Sequence, residues 1–69
     1  MTNTILLKKK IQHSGLRMGY IAEFLGISRQ QFWKKTNNII PFNQYEIEKL
    51  CTVLKITALR EKEAIFFAK

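Results

Sequence analysis

The sequence predicts an all-α fold, a compact bundle of about five helices. Apolar residues recur at helical spacing along the whole chain, and turn-forming residues interrupt this pattern at Gly15, Gly26, Asn37–Asn38 and Pro41. Only three glycines and one proline occur, so most of the backbone is free to be helical. A chain of 69 residues has room for one core, and we assign residues 1–69 to a single domain.

The first two helices are predicted from apolar spacing and from the glycines that end them. The first helix runs from about residue 4 to residue 13 and ends at Gly15. The second spans residues 18–25 and ends at Gly26. Arg17 precedes the second helix and is a poor N-cap residue, so this start has the weaker signal.

The next two helices have clear start signals. Ser28 is a good N-cap, and Gln31, three residues later, completes a capping box for a helix that runs to about Thr36. Asn43 and Glu46 are predicted to form a second capping box, at the start of the fourth helix. A fifth helix is predicted to begin near residue 57, whereas residues 64–69 fit either a helix or an extended tail.

The chain is strongly basic, and its charge is unevenly distributed. Residues 1–38 contain seven basic residues and one acidic residue, which leaves +6 of the total formal charge of +7 in this half. Such asymmetry indicates a polyanion or an anionic membrane as the partner, and the alternative is a basic face that only contacts solvent. A membrane partner is disfavoured because lysines and aromatic residues do not separate along one amphipathic helix.

The single cysteine and the N-terminal segment favour a cytoplasmic protein. Cys51 lies in an apolar helical stripe and has no second cysteine to pair with. The apolar stretch Ile5–Leu7 is too short for the core of a signal peptide, and no run is long enough to span a membrane. We therefore expect a reducing compartment and no membrane contact.

The sequence shows no catalytic pattern. It has no Ser-His-Asp set and no glycine-rich phosphate loop, and His13 has no cysteine or carboxylate at ligand spacing. We expect no enzymatic activity, no metal, no cofactor and no small-molecule substrate.

The most informative stretch is residues 18–35, two short helices around a glycine-containing turn. Ala22 is small where the third helix crosses closely over the second. Gly26 tolerates the left-handed backbone of a tight turn, and Phe32 anchors the third helix to the core. A helix-turn-helix requires these three features.

With this stretch, the chain resembles the helix-turn-helix family of lambdoid phage repressors, Cro proteins and related bacterial regulators. The resemblance covers about residues 3–56, and the run 14–28 together with Ile65–Lys69 looks like Cro or repressor proteins of phages from Gram-positive bacteria. Two positions depart from the family. Met18 replaces a glutamine that touches a phosphate, and Thr36 replaces a frequent acidic residue. The matching segments are Gly15-Leu16, Ile21-Ala22, Leu25–Ser28 and Tyr45–Leu50.

The resemblance implies a lambda-repressor-like domain that binds double-stranded DNA and regulates transcription, with the third helix in the major groove. The expected base contacts are Arg29, Gln30 and Lys34. Trp33 has three possible roles: a contact with DNA, a contact with a partner protein, or partial burial against the domain. Gly19 could be explained by close approach to a phosphate or to a neighbouring helix. The expected phosphate contacts are Arg17, Met18, Ser28, Gln31, Lys35, Asn43 and Gln44.

Self-association as a homodimer is also expected, because one small module offers a modest area for specific recognition. The predicted interface is Ile65, Phe66 and Phe67, three adjacent apolar residues. The alternative is that two of them close the core. A second function also fits the sequence, a helix-turn-helix that binds protein, such as an antirepressor or an excision accessory factor.

Overall fold

A computed structural model describes residues 2–67, and within them five helices and no strands are found. The predicted all-helical, five-helix fold is therefore confirmed. No helix among the described residues is long and apolar enough to cross a membrane. The helices are α1 Thr4–Ser14, α2 Met18–Leu25, α3 Arg29–Thr36, α4 Gln44–Val53 and α5 Leu59–Phe66.

Local signals fix where most of these helices begin and end. Gly15 and Gly26 follow α1 and α2 with positive φ angles of 73° and 79°, a left-handed conformation that only glycine adopts without strain. Ser28 Oγ accepts a hydrogen bond from the backbone N–H of Gln31 at 3.0 Å. This is only one half of the capping box predicted there, whereas Asn43 and Glu46 form both halves at the start of α4.

One core holds the helices together. α2 packs against both α3 and α4, and α1 packs against α3 and α5. The largest apolar side chains that this packing removes almost completely from solvent come from all five helices and from the segment before α5. They are Leu7, Ile21, Phe32, Leu50, Ile56 and Ile65.

The C-terminal helix completes this core and does not present the predicted dimer surface. Ile65 and Phe66 are only 2% and 3% exposed, so their assignment to a dimer interface is wrong. The ring of Phe42 packs edge-on against Phe32 and Phe66, with centroids 6.2 and 6.0 Å apart. Phe67, the third predicted residue, is exposed. Residues 64–66 are helical, and the last two positions of the predicted tail lie outside the described residues.

Candidate nucleic-acid interface

Helix α3 has one buried face and one open face. Phe32, Lys35 and Thr36 are buried, and with roughly 3.6 residues per turn they define the side that faces the domain. Of the three predicted base contacts, Arg29 and Gln30 are exposed and Lys34 is half-buried. Gln30 and Lys34 are four positions apart and share the side of the helix opposite Phe32, whereas Arg29 lies in the exposed first turn.

A short turn connects this helix to α2. Gly26, Ile27 and Ser28 link the two helices, and the N–H of Ile27 donates to the carbonyl of Ala22 at 3.0 Å. Ala22 itself is 1% exposed, as expected of a small residue between closely packed helices. The turn thus leads directly from the end of α2 to the first turn of α3.

Gly19 lies where α2 meets the side chain of Arg29. A Cβ atom built on Gly19 would lie 3.9 Å from both Cδ and Nε of Arg29, which is ordinary contact distance. An alanine would fit there, but a longer side chain would meet the arginine. Among the described residues, no backbone atom of another helix would come within 4 Å of that Cβ, so close approach to a neighbouring helix does not account for Gly19.

The N-terminus of α2 carries no cap of its own. Arg17 occupies the N-cap position in an extended conformation, and among residues 2–67 no side chain accepts a hydrogen bond from the first turn of this helix. The first turn also contains no acidic residue. Its N–H groups and the positive end of the helix dipole, beside an exposed arginine, are suited to an anion such as a phosphate. Met18, at the predicted phosphate position, is half-buried and packs against the core.

The N-terminus of α4 is already satisfied by the chain itself. Asn43 Oδ1 accepts from the N–H of Glu46 at 2.8 Å, and the N–H of Asn43 donates to Glu46 Oε1 at 3.0 Å. The backbone N–H of Asn43 is therefore not available to a phosphate. Only its side-chain Nδ2 could still make the predicted contact. Gln44, the next predicted contact, is exposed.

Lys35 does not contact phosphate, and this prediction is wrong. Its ammonium donates to both carboxylate oxygens of Glu46, at 2.6 Å to Oε2, and both side chains are buried. Burying a charge is costly unless it is paired, and here each ion supplies the partner of the other. The sequence contained a signal for this burial. Lys35 follows Phe32 by three positions, and this spacing puts it on the buried side of the helix.

Ser28 and Gln31, the remaining predicted phosphate contacts, lie at the exposed start of α3. Ser28 Oγ acts as the N-cap, and its hydroxyl hydrogen can still donate to an anion. Thr36 fills the position where the family often has an acid. It is buried, and its hydroxyl donates to the carbonyl of Trp33 at 2.8 Å.

Trp33 is the residue of this surface that sequence reasoning did not assign. Its side chain is 54% exposed, and it follows Arg29 by four positions and Gln30 by three. Residues at these spacings share a helix face, so Trp33 lies on the outward face of α3 with the predicted base contacts. Helical spacing alone could have indicated this, once Phe32 was assigned to the core.

Two further features bear on chemistry elsewhere in the domain. Burial is the main cause that raises the pKa of the Cys51 thiol above its ordinary value, so the group stays a neutral thiol at neutral pH. Among the described residues, no three His, Cys, Asp or Glu side chains come together as a metal site would require.

No family model, curated protein or solved structure matches this chain. The interpretation of its function therefore rests on the geometry and electrostatics of the surface formed by α2 and α3.

Proposed function

We propose that this protein binds double-stranded DNA with sequence specificity and regulates transcription, with α3 in the major groove. The outward face of α3 is the observation that supports the proposal. It carries Gln30 and Lys34 one turn apart, and Arg29 in the exposed first turn, on a short helix that is anchored through its opposite face. A helix presented in this way can insert between two DNA backbones and expose its side chains to base edges.

The α2–α3 pair is proposed as a helix-turn-helix. Its support is a three-residue connection with a left-handed glycine at Gly26, the buried Ala22 on α2 and the fully buried Phe32 on α3. These are the residues that a helix-turn-helix requires, and Ala22 and Gly26 also belong to the segments that resemble phage repressors and Cro proteins.

Each side chain on the open face has a suitable partner among the bases. An arginine donates two parallel hydrogen bonds to O6 and N7 of guanine, which fits Arg29. A glutamine pairs in the same bidentate way with N6 and N7 of adenine, which fits Gln30. Lys34, one turn beyond Gln30, can donate to acceptors further along the groove.

Electrostatics favour the same partner. Residues 1–38, which include α1 through α3, have a formal charge of +6, of which the charge of Lys35 is buried and paired with Glu46. A basic surface attracts DNA from a distance and gains further free energy when counterions leave the phosphates.

The experiment that tests this proposal combines selection with substitution. Duplexes selected from a random library by the purified protein define a preferred site. Arg29→Ala and Gln30→Ala should then each weaken binding to that site by about 1–3 kcal/mol, with unchanged circular dichroism spectra. Arg60→Ala removes the same charge from the exposed side of α5 and is the matched control. If the two α3 variants keep full selectivity, the assignment of α3 as the recognition helix is wrong.

We also propose that the DNA-bound form is a homodimer, because two-fold symmetry doubles the modest interface of a single module. Of the three residues predicted at the dimer contact, Phe67 is the one that is exposed. If it lies in the interface, Phe67→Ser should weaken self-association in sedimentation velocity while the melting temperature stays the same. An unchanged sedimentation profile would exclude Phe67 from the interface.

A further inference from the structure

We propose that Trp33 is an additional DNA contact, and that its indole packs against the deoxyribose–phosphate strand held at the N-terminus of α2. This inference rests on the proposed function, which it extends to a residue with a positioning role. Trp33 is an aromatic side chain more than half exposed on the face that carries Arg29 and Gln30. An aromatic residue at the centre of a binding face is commonly an anchor that becomes buried in the complex.

The surroundings of Trp33 indicate which part of the DNA it meets. Beside it lies a shallow cleft of about 280 Å³ with a mainly apolar lining that includes Ile11 and Met18. Met18 is the first residue of α2, so the cleft opens next to the uncapped N-terminus of that helix. A strand whose phosphate is held at this N-terminus would therefore run along the cleft and past the indole.

The chemistry of the cleft matches a sugar–phosphate strand. The face of a deoxyribose ring is rich in C–H groups and can fill an apolar cleft, while the indole Nε1–H can donate to a phosphate oxygen. Lys8 also lines the cleft, and its ammonium is held by Asn37 Oδ1 at 2.7 Å. A cation at that position compensates the phosphate charge that follows each sugar.

A contact with the backbone predicts a particular pattern of binding loss. Phosphate and sugar contacts position the protein but carry no sequence information. Loss of the indole should therefore weaken binding to all sequences by a similar factor, in contrast to loss of Arg29, which should mainly reduce selectivity.

The test uses the full chain and a fluorescein-labelled duplex of mixed sequence, about two helical turns long. We expect Trp33→Ala to weaken binding about 5- to 30-fold by fluorescence anisotropy, and Trp33→Phe, which keeps an apolar ring, to weaken it less. Tyr45→Ala is the matched control, since Tyr45 is also more than half exposed, at 58%, but lines a different cleft with Phe24 and Lys49. The control should bind like the wild type.

A second readout needs no substitution. Trp33 is the only tryptophan, so its emission reports directly on this site. Adding the duplex should protect that emission from quenching by acrylamide. If DNA binds but the indole stays equally accessible, or Trp33→Ala binds as tightly as the wild type, the inference is wrong.

Two other outcomes distinguish a backbone contact from a base contact, and a failure of this inference from a failure of the proposed function. If replacing thymine by uracil in the duplex removes the effect of Trp33→Ala, the indole contacts a thymine methyl group and the backbone assignment is wrong. If the wild-type protein does not bind the duplex at all, the proposed function itself fails, and the inference fails with it.

Discussion

The N-termini of α2 and α4 were both predicted to hold phosphate, yet they differ in almost every respect. α2 begins at an exposed arginine, with no side-chain cap and no acid in its first turn. α4 begins with a complete capping box, in which Asn43 and Glu46 satisfy each other. The carboxylate of Glu46 is itself buried against the ammonium of Lys35.

The difference shows that a helix N-terminus is an anion site only while its N–H groups are available. At α4 the chain supplies its own anion, and a lysine neutralises it, so little attraction for a phosphate is left. At α2 no such anion is built in, and the neighbouring charge at Arg17 is positive. If the protein binds DNA as proposed, we therefore expect the main phosphate contact at α2 and a structural role for the N-terminus of α4.

The largest expected effect comes from Glu46→Ala. This change removes half of the capping box and leaves Lys35 buried without a counter-ion, which should cost about 3–5 kcal/mol in the free energy of unfolding. Urea denaturation measures the loss.

The control for this experiment is the double variant Lys35→Met/Glu46→Gln. It replaces the ammonium by an apolar group of similar length, while glutamine at the same position can still close the capping box. Most of the stability should return, because neither substituted side chain leaves an unpaired charge in the buried site. A single variant as stable as the double one would show that the pair is not buried as described.

Arg17→Asp should change stability and DNA binding in opposite directions. Aspartate is a good N-cap and should raise the free energy of unfolding by about 1 kcal/mol. The same carboxylate would occupy the N–H groups and repel phosphate, so affinity for duplex DNA should fall at least about tenfold. Thermal melts and anisotropy titrations measure the two effects.

Arg17→Ala is the matched control, since it removes the positive charge without providing a cap. It should bind DNA with an affinity between those of the wild type and Arg17→Asp, and it should not gain stability. Equal affinities for the alanine and aspartate variants would mean that the N–H groups of α2 do not contact phosphate.

The smallest effect is expected at α4. Gln44 is exposed beside an N-terminus that is already satisfied, so Gln44→Ala should change the free energy of DNA binding by less than about 0.5 kcal/mol. Anisotropy titrations of the Gln44→Ala and Arg17→Ala variants with the same duplex compare their affinities for DNA. If Gln44→Ala proves as damaging as Arg17→Ala, the two helix N-termini are equivalent, and the distinction between them is wrong.

Local sequence signals were sufficient to predict most helix boundaries. A glycine needed for a left-handed turn, as at Gly26, or a cap such as Asn43, acts within a few residues of its own position. The spacing of apolar residues likewise predicted that Phe32 anchors α3, and with it the outward position of Gln30 and Lys34.

The predictions that failed depended on contacts between distant parts of the chain. Lys35 is buried because Glu46, eleven residues later, comes to the same place in the fold. Ile65 and Phe66 are buried because α1 and the segment around Phe42 complete a core that extends to the C-terminal helix. Sequence spacing reveals which residues share a helix face, but not which other element covers that face.

The salt dependence of duplex binding tests most directly whether the surface of α2 and α3 binds DNA. We expect the logarithm of the association constant to fall linearly with the logarithm of salt concentration, by about 0.9 for each phosphate neutralised. Arg17→Ala should make this slope shallower by about 1, because one phosphate contact is lost. A wild-type affinity that stays constant between low and physiological salt would exclude DNA as the principal partner.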